Sequence, residues 1–507
     1  MSGYDRLAVA RIFFFPALGG LLFGYDIGAT SYVLTQLESA TFSGVAWWDA
    51  VASSSALQGL VTSGGVGGAF VGATIVFKVA DDLGRRRELL LGACLYIIGA
   101  CLEFLGGGVG GYRSRAGDGL GLLVLGRFIY GVGCGFVMHG APSYIAEMSP
   151  AAIRGTLVSL KEAAIVVGIC LGYGLGFALR DVAGGWRFTY GASVPLSVLL
   201  YVGAAALPPS ARWLALKGDM DGARKSLAFV YPDDARLLEE AYDELKGDDS
   251  CEDPALSRGE PQSLLAPKYR RALTAGLGVV LLQQLTGQPS VLYYASTIFD
   301  AAGIGTVATV FVGVFKLFAT LFAVVTVDKR GRRELLFIGV GSMLVALVAL
   351  SLAFYDFDPD GGFNVQKGAI VGLIFVYIAG YQVGFGPIAW LLISEIFPLE
   401  VRGQAVALAV QTNFASNMLV SFLFPVAQTG LKALLGKTWY LTVLFGIFAV
   451  VDLYALYFID RNVPETKGMS LEQIEHFLAA GKITNAPSLR DSYRSVNSGG
   501  VESPLID

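Results

Sequence analysis

Two charged residues stand where charge is expensive. Asp26 interrupts the apolar run LLFGYDIG, and Arg127 interrupts GRFIYG. An ionisable side chain in such a run is a functional signal, because it is costly to bury unless it meets a partner. Beside an arginine a carboxylate stays ionised, and separated from it in a desolvated site the same group is driven to take up a proton. Movement of Arg127 away from Asp26 therefore loads a proton. A pair that never separated would only tie two helices together, at little net gain in stability.

A second set of charges is written twice. IAEMSPAAIRG begins at Ile145 and ISEIFPLEVRG at Ile393, about half the chain apart, and DDLGRRRELLL at Asp81 has its copy, DKRGRRELLF, at Asp328. Each copy places arginines at a helix end (Arg85 and Arg86; Arg332), with a glutamate (Glu147; Glu395) and a further arginine (Arg154; Arg402) on the same side. Guanidinium forks grip carboxylates with two parallel hydrogen bonds. These groups read as latches between the halves, formed when that face is closed and parted when it opens. A general excess of basic residues on one face would also put arginines there, but it would not supply a carboxylate counterpart in both copies.

The elements that carry these residues follow from composition. The chain has 507 residues, of which 54% are hydrophobic and only 15% charged, and it holds 65 glycines; mean hydropathy is +0.59. That is a membrane protein rather than a soluble domain. At about 20 residues per crossing, twelve apolar runs are long enough to span, centred near Leu22, Val66, Ile97, Gly133, Val167, Leu199, Val280, Val314, Leu344, Ile374, Val410 and Phe448.

The predicted architecture is an all-α membrane protein of two six-helix repeats with short cytoplasmic helices. A six-helix bundle occupies residues 1–210, a cytoplasmic linker 211–268, a second bundle 269–462, and a tail 463–507. Lys and Arg concentrate in the segments on the side of the termini, which makes that side cytoplasmic. Parallel repeats of this kind leave a cleft between them where a substrate is alternately exposed to either side.

Other classes find little support. The balance of 37 basic against 41 acidic residues gives no nucleic-acid footprint. No nucleophile–base pair, metal cluster or phosphate loop suggests an enzyme, and no cofactor is expected. Cys94, Cys101, Cys134 and Cys170 fall in spans and Cys251 in the linker, so no disulfide framework emerges. The N-terminal MSGYDRLAVAR runs almost directly into the first span, so no processing is expected.

The motifs, in order, are GGLLFGYD at Gly19, GRFIYG, PSYIAEMSPAAIRG, QQLTGQPSVLYY, GPIAWLLISEIFP and VPETKG at Val463. With them the chain resembles the sugar porter family of the major facilitator superfamily over nearly its whole length. It is most similar to the proton-coupled xylose and glucose type and to plant vacuolar glucose transporter-like proteins. The resemblance implies the major facilitator fold, alternating access, and proton-coupled transport of a monosaccharide, a hexose or a pentose. Proton-coupled members carry Asp at the position of Asp26 where facilitative relatives carry Asn.

A sugar offers a ring of hydroxyls with mildly apolar faces, which suits amide side chains beside an aromatic platform. By resemblance Gln283, Gln284 and Tyr293 of the seventh span, Trp390 of the tenth, and Asn413 and Asn417 of the eleventh line the sugar site, with Phe23 and Gly386 as further candidates. Interhelical hydrogen bonding for Gln283 and Gln284 and simple packing for Trp390 are the plainer alternatives.

The chain departs from the family pattern in several places. Pro289 stands where many relatives have a sugar-binding Asn, Ile169 where they have Gln, and Lys316 where Asn is frequent. LPPSARWL at Leu207 replaces the usual PESPRWL, and His139 is one of only two histidines. The expected partners are a monosaccharide, protons and a lipid bilayer, with the monomer as the working unit and the plasma membrane or a vacuolar or other endomembrane as the location. A facilitative uniporter and a sugar sensor that does not transport are the alternatives to proton-coupled transport.

Overall fold

The computed structural model describes residues 4–107, 118–150, 153–232, 234–250, 264, 266–327, 330–355, 365–397, 399–467 and 474. Among the described residues there is helix and no strand. Spans 1 to 6 are Arg6–Leu37, Ser55–Leu83, Arg85–Leu105, Asp118–Met148, Arg154–Leu179 and Gly185–Ala206. Span 7 is broken into Arg270–Leu285, Gln288–Tyr293 and Ala295–Ala301. Span 8 is Val307–Val327, span 9 Arg332–Ala353, and span 10 Val365–Val383 continued by Phe385–Ile396. The helix Leu399–Asn462 is interrupted at Gly436, with φ 74°, which divides span 11, Gly403–Gly436, from span 12, Trp439–Asn462.

Ten of these helices are long and apolar enough to cross a membrane. The other two of the twelve expected spans are span 7, which is interrupted, and span 8, whose apolar stretch is shorter. The break in span 7 falls in TGQPS. Gly287 adopts φ 97°, a left-handed conformation that glycine takes without strain. Pro289 then sits in the first turn of the short helix, where a missing N–H costs nothing.

The helices start where the sequence supplies caps. Asp5, Ser54, Ser210 and Asp219 each accept a hydrogen bond from an amide two or three residues on, satisfying donors that a helix start leaves free. The linker forms Ala211–Leu216, Met220–Ala228 and Ala235–Ser250. The Asp5 amide donates to Val230 O at 2.9 Å, so the start of span 1 and the linker lie on one side.

Glycine lets the spans approach closely. A Cβ at Gly24 of span 1 would fall 1.8 Å from Ile165 O of span 5, and one at Gly131 of span 4 would fall 1.8 Å from Gly65 O of span 2. Without a hydrophobic force between helices in lipid, such backbone contact supplies the packing energy. The halves meet where Gly59 of span 2 abuts Phe422 of span 11 and where Gly313 of span 8 abuts Cys170 and Tyr173 of span 5.

Candidate functional site

Asp26 and Arg127 are brought together. An Arg127 Nη1 hydrogen bond to Asp26 Oδ1 joins span 4 to span 1 in the interior of the first half, and the arginine is 0% exposed. The other two guanidinium nitrogens also donate: Nε reaches Val61 O at 3.1 Å and Nη2 reaches Thr62 O at 3.4 Å, both on span 2. The guanidinium carbon lies 5.1 Å from the Tyr190 ring centroid. A third charged group, Glu103 of span 3, sits 3.8 Å from Arg127 Nη1. Sequence reasoning passed over Glu103, which stands near the end of its apolar run, where a glutamate also suits a solvated helix end.

The expected sugar residues form a ladder in the second half. Gln283 Nε2 donates to Phe385 O at 2.9 Å, and Gln283 Oε1 accepts from Asn413 Nδ2 at 3.2 Å and from Gln284 Nε2 at 3.3 Å. Gln284 Oε1 accepts from Asn417 Nδ2 at 3.1 Å, and Asn417 Oδ1 accepts from Ser421 Oγ at 3.1 Å. Spans 7 and 11 thus hold each other's amides in fixed orientation.

Two buried hydroxyls on the short central helix of span 7, Tyr293 OH and Ser290 Oγ, have no hydrogen-bond partner among the described residues. A buried polar group without a partner is costly, so each of these hydroxyls is an unsatisfied group inside the second half. Ser290 carried no signal beyond its neighbourhood in QPSVLYY. Tyr293 also lies within electrostatic range of Asp26 and Arg127 of the first half.

Trp390 is half-buried, as are Asn413, Phe23 and Gly386. Phe23 of span 1 meets Phe414 of span 11 edge to face at 6.2 Å between centroids. A Cβ at Gly386 would be 3.7 Å from Gln382 Oε1. Amide side chains beside aromatic faces are the groups a sugar ring needs.

The duplicated charges, expected as latches between the halves, pair within each half in this arrangement. Arg85 Nε meets Glu147 Oε1 at 3.1 Å, and Ser210 Oγ closes on the other oxygen of Glu147. In the second copy Arg332 Nη2 meets Glu395 Oε1 at 2.8 Å, and Thr466 Oγ1 closes on Oε2. Ser210 belongs to LPPSARWL and Thr466 to VPETKG, so each motif completes one clasp. Arg86 donates to Ala204 O at 3.2 Å and also to Ala205 O. Arg154 Nε is buried without a hydrogen-bond partner among the described residues, and the Arg402 side chain lies outside them.

His139 joins the first clasp. Its Nδ1 is 2.8 Å from Glu88 Oε2, and Glu88 is 3.5 Å from Arg85. Lys316 neither snorkels nor forms an ion pair within 4.0 Å among the described residues. Its Nζ donates to Gln382 Oε1 at 2.7 Å, over the Tyr381 ring at 5.2 Å. Ile169 and Pro289 are buried, Ile169 with its carbonyl against Gly28.

Comparison with known proteins places this geometry in context. Residues 12–478 match the family model described as "Sugar (and other) transporter". The chain is 44% identical over 494 residues to "D-xylose-proton symporter-like 3, chloroplastic" of Arabidopsis thaliana, covering 94% of this chain and 83% of that protein. It is 32% identical to "Glucose transporter GlcP" of Staphylococcus epidermidis, covering 92% and 96%. Among solved structures, the inward open conformation of the xylose transporter XylE from E. coli matches with a TM-score of 0.74 at 27% identity, covering 92% of this chain and 99% of that one.

Proposed function

Because the chain belongs to the sugar transporter family, we propose that it carries a monosaccharide, a hexose or a pentose, across a membrane together with a proton by alternating access. The observation that carries this reading is the Asp26–Arg127 pair, buried in the first half. Relatives named as xylose–proton symporters and glucose transporters support it.

The division of labour is proton coupling in residues 1–210 and sugar binding in residues 269–462, joined by the 211–268 linker and followed by the 463–507 tail. Sugar enters between the half-buried Trp390 and Asn413 and takes up the unpartnered Tyr293 OH. Rearrangement of Tyr293 then changes the field around Asp26 and loosens Arg127, so that the carboxylate accepts a proton. The clasps at Glu147 and Glu395 keep the helix ends of each half rigid while the halves rock. The protein works as a monomer with its termini in the cytoplasm, in the plasma membrane or in a vacuolar or other endomembrane.

One charge crossing about 100 mV gains about 2.3 kcal/mol, enough for roughly fifty-fold accumulation of sugar. The test is uptake by the purified protein in liposomes under an imposed pH gradient, with labelled glucose and xylose and a panel of competing sugars. Accumulation above equilibrium that collapses with a protonophore is expected. Equilibration to the same level with and without the gradient would mean a facilitative uniporter, and binding without uptake a sensor.

A further inference from the structure

We propose that Glu103 is a second proton carrier in the coupling site, exchanging a proton with Asp26 through competition for Arg127. The proposal rests on the proton-coupled reading above. Glu103 lies two residues before the end of span 3, is 1% exposed, and its Oε1 has no hydrogen-bond partner among the described residues while standing 3.8 Å from Arg127 Nη1. The same Nη1 is held by Asp26. One guanidinium thus faces two buried carboxyl groups.

Charge balance decides what the site holds. Two carboxylates and one guanidinium, all desolvated, would leave a net negative charge with no counterion, and an uncompensated buried charge is strongly destabilising. A single proton on one carboxyl makes the cluster neutral. With Arg127 bound to Asp26, that proton resides on Glu103, which explains why Glu103 stands beyond hydrogen-bond distance from the arginine.

Transfer of the proton from the Glu103 carboxyl to Asp26 leaves Asp26 neutral and Glu103 ionised. The guanidinium keeps its charge and closes about 1 Å to reach charge-assisted bonding distance to Glu103. Glu103 is the member placed toward the end of span 3, on the side away from the termini. Asp26 then releases its proton toward the side of the termini, Arg127 returns to the ionised Asp26, and Glu103 recovers a proton from its own side, so one proton passes per cycle.

The other groups facing Glu103 do not supply this exchange. They are Tyr25 of span 1, Tyr130 of span 4 and Tyr190 of span 6, and phenols ionise at about pH 10. Tyr25 OH is already committed to Thr189 O and Tyr130 OH to Leu22 O. The Arg187 Nε of span 6 donates to Phe104 O at 3.1 Å, next to Glu103 in the chain.

The test compares Glu103→Gln, Glu103→Asp and Asp26→Asn with the wild type in liposomes, reading proton-driven accumulation against sugar counterflow. In Glu103→Gln the ratio of accumulation to counterflow should fall at least about tenfold, a change of about 1.4 kcal/mol. Glu103→Asp should restore part of the ratio, with a displaced pH profile. If Glu103→Gln gives no counterflow at all, the Glu103→Asp profile decides: one superimposable on the wild type overturns the proposal. Wild-type accumulation in Glu103→Gln overturns it as well. If Asp26→Asn accumulates sugar normally, the proton-coupled reading fails and this inference with it; loss in Asp26→Asn alone rejects Glu103 only.

Discussion

Ser31 of span 1 and Ser296 of span 7 are bound to each other: the Ser296 amide donates to Ser31 Oγ at 3.1 Å, and the two hydroxyls are 2.9 Å apart. Nearby, Arg180 Nη1 donates to Thr306 Oγ1 at 3.0 Å and Tyr173 OH to Leu292 O at 2.7 Å. These bonds join the two halves on the side away from the termini. At about 1 kcal/mol for a lost hydrogen bond, Ser296→Ala should shift the population roughly fivefold toward the arrangement open on that side. Distances between spin labels at the ends of spans 1 and 7 measure this, and an unchanged distribution would remove Ser296 from the seal.

Glu38 ends span 1 on the same side and gives that seal a pH dependence. Burial, with the charge of Asp300 adding to it, pushes the Glu38 carboxyl from its ordinary 4.5 up to about 7. The sign follows from linkage. Below pH 4.5 the open and closed arrangements both hold the proton, and the closed one carries no penalty. Between pH 4.5 and about 7 opening releases the proton, so the closed side weakens as pH rises, and above about 7 the bias levels off. In the same spin-label experiment the wild type should open progressively over that window, and Glu38→Gln should respond less. An equal response in both would exclude Glu38 as the titrating group.

Lys316 and Gln382 should show strong coupling in stability. Gln382→Leu leaves the Lys316 ammonium buried without its acceptor, at a cost of about 2–3 kcal/mol. Lys316→Met combined with Gln382→Leu should recover most of that loss. Thermal unfolding in detergent measures both, and additive losses in the double variant would contradict the pairing.

The sequence made some of these relationships visible and concealed others for physical reasons. Asp26 and Arg127 are legible because a charge within an apolar run has few alternatives to pairing. The clasp residues are legible because the duplication repeats both signs of charge. The partners that complete each clasp, Ser210 and Thr466, come from motifs distant in the chain, and no periodicity announces them. Glu103 stands close to the end of its run, where a glutamate is equally at home as a solvated helix end, so only the packing of span 3 on span 4 reveals its place beside Arg127. The bundle architecture follows from hydropathy and the repeat, whereas the break in span 7 depends on the positive φ of Gly287. Within TGQPS, glycine and proline mark a turn without specifying that a helix resumes after it.

The central claim is that sugar movement is tied to a proton at Asp26. The most direct test is an internal pH dye in liposomes carrying the wild type or Asp26→Asn, with sugar added outside and no imposed gradient. The wild type should acidify the lumen on sugar addition, while Asp26→Asn should equilibrate sugar without moving protons. A sugar-evoked pH change of wild-type size in Asp26→Asn would contradict the account.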